Sequence, residues 1–175
     1  MPYFFVYMDK LKKIIKEYGP YVLIIIIVLL LKTFIISPIL VSGDSMDSTL
    51  KDGDMMLLNK LAYKTNEIER FDIVVVEHSD SYIIKRIIGL PGDTVKCIDN
   101  VLYINDKVYI EEYLDEHTIT SDFEIEKIPE GYYFVLGDNR EVSLDSRRIG
   151  LINQDKIQGK ATFTIFPFNR WGTKK

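Results

Sequence analysis

The stretch Ile73-Val74-Val75-Val76-Glu77-His78-Ser79-Asp80-Ser81-Tyr82-Ile83-Ile84-Lys85-Arg86-Ile87-Ile88-Gly89-Leu90-Pro91-Gly92-Asp93-Thr94-Val95-Lys96-Cys97-Ile98 decides how this chain is read. It holds three short runs of mainly β-branched and aromatic residues, separated by Glu-His-Ser-Asp and by Gly-Leu-Pro-Gly-Asp. Apolar runs that short between turn formers are expected to be strands. The same pattern extends in both directions. Upstream, residues 55–58 follow Asp52-Gly53-Asp54. Downstream, Asp99-Asn100 and Asn105-Asp106 set off residues 101–104 and 107–110, which is the spacing of tight hairpins. Residues 132–136 and 161–166 complete a mainly β reading, an all-β domain with no helix longer than two turns. Residues 111–127 carry Glu111, Glu112, Asp115, Glu116, Asp122, Glu124 and Glu126. They read as an exposed acidic excursion, within an insertion near 99–127.

Upstream of the β pattern lies a segment of another kind. Residues 21–41 contain one charge, Lys32, and at about 1.5 Å per residue they are long enough to cross a hydrocarbon core of roughly 30 Å. Lys32 is placed where its stem can snorkel outward. Before this segment come Lys10, Lys12, Lys13 and Lys16, which the positive-inside rule keeps in the cytoplasm. The expected organisation is a basic cytoplasmic segment 1–19, a transmembrane anchor 20–41 and an extracytoplasmic β-rich domain 42–175. That makes a single-pass protein of the cell membrane. A cleavable leader would end in a small-x-small site; Ser37-Pro38-Ile39-Leu40-Val41 is a poor one, so a retained anchor is expected.

Composition narrows the function classes. Up to residue 41 five lysines against Asp9 and Glu17 give +3, so the chain total of −4 leaves −7 for the β-rich part. An acidic domain argues against nucleic acid as a partner. Cys97 is the only cysteine, which excludes an intrachain disulfide, and it reads as a small strand residue. With only His78 and His117 besides it, zinc spacings are missing, and neither a metal nor a cofactor is expected.

Two residues suggest chemistry. Ser45 stands just beyond the membrane-length stretch, and Lys85 interrupts an apolar run. A serine hydroxyl is a poor nucleophile until a neighbour takes its proton, and a lysine does so only where its surroundings keep the amine neutral. Ile83, Ile84, Ile87 and Ile88 can supply that burial. The alternatives are ordinary ones. Lys85 can reach water from an open strand face, and Ser45 can be a loop hydroxyl bonded to nearby backbone.

Gly43-Asp44-Ser45-Met46-Asp47-Ser48-Thr49-Leu50 comes first in the chain, followed by the run from Tyr82 through Lys85 to Asp93. Gly137-Asp138-Asn139-Arg140 then leads through Ser143 to Asp145, Ser146 and Arg147. In this order, behind one N-terminal anchor, the three resemble the sequence boxes of the bacterial type I signal peptidases, over about residues 34–171. The resemblance implies a signal-peptidase/repressor-protease-like β fold. It also implies a membrane-anchored serine endopeptidase that removes signal peptides from exported preproteins. Ser45 would be the nucleophile and Lys85 the general base. Ser143 would hydrogen-bond the lysine amine, and Asp145 with Arg147 would form an ion pair holding that loop. Ile39, Val41, Met46, Leu50, Ile83 and Ile84 would line shallow apolar pockets for small residues of an Ala-x-Ala site, with the signal peptide added as a strand.

Two positions depart from the family pattern. Ser48 stands where proline is usual, so the turn after the nucleophile is expected to be softer or supported in another way. Gly43 lacks the hydroxyl that some members aim at the oxyanion, which leaves the Ser45 N–H as the main expected donor. Phe163, Phe166, Phe168 and Trp171, followed by Lys174 and Lys175, suit either a core strand with a tail or a membrane interface. Other readings are a catalytically silent anchored β-domain that binds exported chains, a self-cleaving repressor-type protein, and histidine-based catalysis. The repressor type needs a cytosolic DNA-binding segment, and His78 and His117 both read as surface residues.

Overall fold

The computed structural model describes residues 2–174. Met1 and Lys175, the outer limits of the expected cytoplasmic and extracytoplasmic segments, lie outside the described residues. The chain divides into two compact units, residues 1–36 and 37–175.

The first unit is one helix, α1 (Pro2–Phe34), continuous through Pro20. The basic segment and the anchor, expected as separate stretches, thus share one element. Residues Lys12–Phe34 are long and apolar enough to cross a membrane. The helix stops at Phe34 and not at Val41. Ile36–Leu40 is a strand, β1, because Pro38 lacks an N–H and pushes Ser37 out of the α region. Pro38 is tolerated there because β1 is the first strand at one edge of its sheet, where proline costs little in lost pairing.

The second unit is built from two antiparallel sheets. The larger runs β1, β2 (Met55–Asn59), β11 (Ile157–Phe166), β3 (Ile73–His78), β4 (Ser81–Gly89), β9 (Tyr132–Leu136) and β10 (Ile152–Asn153), with β12 (Gly172–Thr173) also paired to β11. The smaller runs β7 (Lys107–Tyr109), β6 (Val101–Ile104), β5 (Val95–Ile98) and β8 (Phe123–Ile125). Its two hairpins turn at Asp99-Asn100 and Asn105-Asp106, where all four residues have positive φ, the conformation tight hairpins demand and these residue types tolerate. The only α-helical turns in this unit, among the described residues, are α2 (Ala62–Thr65) and α3 (Ser146–Ile149).

Three apolar clusters form the core. One joins Val41, Met46, Leu50 and Met56 to Ile73 and Val75, a second holds Val74, Val76, Ile87 and Val135, and a third puts Ile88, Val95, Leu102 and Ile104 under Phe134 and Leu136. The acidic excursion is not simply a solvated face. Phe123–Ile125 is strand β8, Thr120 is buried, and Glu111 is paired with Arg140. The excursion is held against the domain by charges that lie far away in sequence.

Candidate active site

Ser45 lies in a compact turn between β1 and β2. The Leu50 N–H donates to the Met46 carbonyl at 2.8 Å and the Asp47 N–H to the Asp44 carbonyl at 3.1 Å. From outside the turn, the Asn139 N–H donates to the Ser45 carbonyl at 3.1 Å. Arg170 reaches the Thr49 carbonyl at 3.2 Å while its guanidinium pairs with buried Asp54. The main chain of the turn is therefore held from several sides.

Lys85 comes from β4, where it lies opposite Val74 of β3. Only 2% of it is exposed. Its Nζ is 2.7 Å from Ser45 Oγ and donates to the Ile84 carbonyl at 2.8 Å. Burial lowers the amine from the ordinary 10.5 to about 8, with the negative charges of Asp145 and Asp138 acting in the opposite direction. At pH 7 about a tenth of such amines are neutral, against roughly one in three thousand for an ordinary lysine.

Arg86, the next residue, leaves the strand on the other side of the pleat. It is fully buried and forks onto Asp138, with Nε to Oδ1 at 2.9 Å and Nη2 to Oδ2 at 2.6 Å. It also donates to Thr49 Oγ1 at 3.1 Å, and the Tyr113 ring lies 3.9 Å from the guanidinium carbon. Arg140 binds Glu111 through both terminal nitrogens, Thr120 Oγ1 at 2.9 Å and the Gly137 carbonyl at 3.0 Å. The Tyr113 hydroxyl makes a short hydrogen bond to Glu111; burial, and then that carboxylate, push it well above the ordinary phenol value. Sequence reasoning assigned none of Arg86, Glu111, Tyr113, Asp138 and Arg140 a place in the site. The available signal was two adjacent cations inside one apolar strand, of which only one can face Ser45.

Asp145 and Arg147 form a fork, with Nε to Oδ1 at 2.9 Å and Nη2 to Oδ2 at 2.8 Å. Asp145 is the N-cap of α3 and accepts the Arg147 N–H, so a capping turn brings the pair together. Burial acts to raise the Asp145 carboxyl, but the Arg147 guanidinium and the Gly137 N–H outweigh it and hold it below its ordinary value. Ser143, expected to bond the lysine amine, does not do so. No hydrogen bond joins its fully buried Oγ to Lys85, whose Nζ partners are Ser45 and Ile84; the hydroxyl lies instead against Asp145, whose carboxyl it helps hold down. The hydroxyl packs so tightly on Gly137 that a Cβ there would collide with Ser143 Oγ and with the Ser45 carbonyl.

Of the residues expected to line apolar pockets, Ile39, Val41, Met46, Ile83 and Ile84 surround a hollow of ≈ 470 Å³ that opens on Ser45 and Lys85. Leu50 does not reach it. It is fully buried behind the turn, in the cluster with Met56 and Ile73, because the Leu50-to-Met46 hydrogen bond rolls it inward. Ser48 has φ 55°, a left-handed conformation that proline, fixed near −65°, does not reach. Its Oγ donates to the Tyr113 carbonyl at 3.1 Å. The departure from proline thus comes with a different backbone and its own support.

A family model described as signal peptidase, peptidase S26, matches residues 13–166. The chain belongs to the signal peptidase family. Among this family's members, it is 42% identical over 160 residues to Signal peptidase I of Bacillus licheniformis, covering 85% of this chain and 86% of the relative. Signal peptidase IB of Staphylococcus aureus is 40% identical over 165 residues, covering 83% and 86%. The crystal structure of a signal peptidase I from Enterococcus faecalis V583 superposes with a TM-score of 0.51 at 36% identity. That match covers 55% of this chain and 98% of the other. Family membership accords with the mainly β architecture and with a serine beside a lysine.

Proposed function

We propose that this protein is a membrane-anchored serine endopeptidase that removes signal peptides from exported preproteins, with Ser45 as nucleophile and Lys85 as general base. The observation that carries the reading is the 2.7 Å contact of Ser45 Oγ with an amine whose burial lowers it to about 8. The neutral amine accepts the Ser45 proton as Oγ attacks the scissile carbonyl, and the resulting oxyanion is met by the Ser45 N–H. Collapse breaks the C–N bond, and Lys85 returns the proton to the leaving amine. The ester left on Ser45 is then attacked by water, whose proton passes to Lys85 and on to Ser45 Oγ. Asp145, Arg147 and Ser143 support this pair without touching the reacting atoms. Small side chains before the cut enter the hollow lined by Ile39, Val41, Met46, Ile83 and Ile84.

The helix α1 is the anchor, and its lysine-rich start places the N-terminus in the cytoplasm and residues 42–175 outside. Phe166, Phe168 and Trp171, all exposed, with the Phe168 ring against both of the others, suit a bilayer surface. Nucleic acid is not a partner in this reading, since the β-rich part is acidic.

The test uses detergent-solubilised protein and a preprotein with an Ala-x-Ala site, comparing native chain, Ser45→Ala and Lys85→Met from pH 6 to 10. Both variants are expected to lose cleavage. Native kcat/KM should rise about tenfold per pH unit and level off above about 8, because the base must be neutral. Variants that cut as well as native, or a native chain that cuts nothing, would leave the anchored binding domain in place of the enzyme.

A further inference from the structure

Two hollows meet at Ser45. The first follows β1 and β4 past Ile39 and Ile84. The second, of ≈ 430 Å³, begins at the same Ser45 and Lys85 and leads instead to Asp44, Asn139, Val142 and Leu144. A polypeptide with its scissile carbonyl at Ser45 Oγ has a flank on each side of the cut. With the acyl flank in the first hollow, the other flank has to leave through the second.

The walls of this second hollow are unusual for their loop. Val142 is 59% exposed and Leu144 44%, while Ser143 between them is fully buried. The segment is held by its neighbours, the Ser143 N–H donating to the Asn139 carbonyl at 3.1 Å and Arg147 donating to the Arg140 carbonyl at 2.7 Å. Single exposed apolar residues are common on surfaces. Here, two stand on a pinned loop at the mouth of a hollow containing the nucleophile. Asp44 adds a carboxylate to the same hollow.

We propose that this second hollow binds the first residues of the released mature chain, Val142 and Leu144 favouring an apolar side chain just after the cut and Asp44 disfavouring an acidic one. This rests on the peptidase reading above.

The experiment measures kcat/KM on three preproteins with one Ala-x-Ala site and Leu, Ala or Asp immediately after the cut. Each ratio is taken within one protein, so that a general loss of folding cancels. The native chain is expected to prefer Leu over Ala by about tenfold, the lower range for apolar pockets because this one is open. It should disfavour Asp relative to Ala by roughly two- to fivefold, as exposed charges allow. Val142→Ser/Leu144→Ser should bring Leu to within about twofold of Ala, and Asp44→Asn should relieve the Asp penalty alone. Equal native rates on all three preproteins, or unchanged ratios in the variants, would overturn the assignment and leave the peptidase reading intact. A native chain that cleaves none would remove both.

Discussion

Burying Lys85 should cost the folded state stability, and that cost can be measured. Its amine lies near 8 in the fold and at 10.5 in an ordinary lysine, and each pH unit corresponds to about 1.4 kcal/mol. The folded state is therefore destabilised by roughly 3 kcal/mol wherever both forms would otherwise be protonated. Between about pH 8 and 10.5 the unfolded chain binds the extra proton, so stability rises with pH and the cost fades. Lys85→Met keeps most of the side-chain length, removes the charge and gives up the bonds to Ser45 and Ile84, a loss of about 1–2 kcal/mol. The variant should thus be inactive yet more stable than native at pH 7, by about 1–2 kcal/mol. From pH 7 to 10 that advantage should shrink by roughly 2–3 kcal/mol. Urea unfolding followed by the fluorescence of Trp171, the sole tryptophan, reads both quantities in detergent. A Lys85→Met chain that is less stable at pH 7, with a difference independent of pH, would refute the reasoning and mark Lys85 as a solvated strand lysine.

Other substitutions probe the frame around the pair. Ser48→Pro, which restores the usual family residue, should lower and not raise activity, because φ 55° excludes proline; a destabilisation of about 1–3 kcal/mol in the same urea assay is expected. Gly137→Ala should cost about 1–3 kcal/mol and reduce kcat more than it changes KM, since its Cβ strikes Ser143 and the Ser45 carbonyl. Asp138→Asn, which leaves Arg86 buried with half its fork, should cost about 3–5 kcal/mol by thermal or urea unfolding. Arg86→Met/Asp138→Leu should recover most of that loss.

Elements governed by local rules were legible in the sequence. The hairpins at Asp99-Asn100 and Asn105-Asp106 follow from residue types that accept positive φ, and the isoleucines of β4 announce a buried strand and with it a dry lysine. The end of helix α1 was hidden, because Ile35-Ile36 and Ile39-Leu40-Val41 read alike in lipid and in a strand; only Pro38 pointed to the change. Leu50 was misplaced for a related reason, since an apolar residue near the nucleophile can face a hollow or the core and only the turn decides which. The Arg86–Asp138 pair spans 52 residues, and Glu111 finds Arg140 29 residues away. Nothing in the local composition of an acidic segment distinguishes a residue that will meet such a cation from one facing water. The missing Ser143–Lys85 bond lay beyond the sequence for another reason, because it depends on hydroxyl placement at the scale of a single rotamer.

The strand β1 lies at the margin of its sheet and also borders the hollow beside Ser45. A client aligned along such a margin is recognised chiefly through its peptide backbone, which all proteins share, so very different passengers can be served by one active site. That mode of recognition admits only unfolded chain. A passenger whose first helix or hairpin forms close to the junction would withdraw the segment from the margin. If clients bind along this margin, as the proposed reading has it, maturation becomes a race between cleavage and the passenger's own folding, and sluggish folding next to the junction would be an advantage to the exported protein.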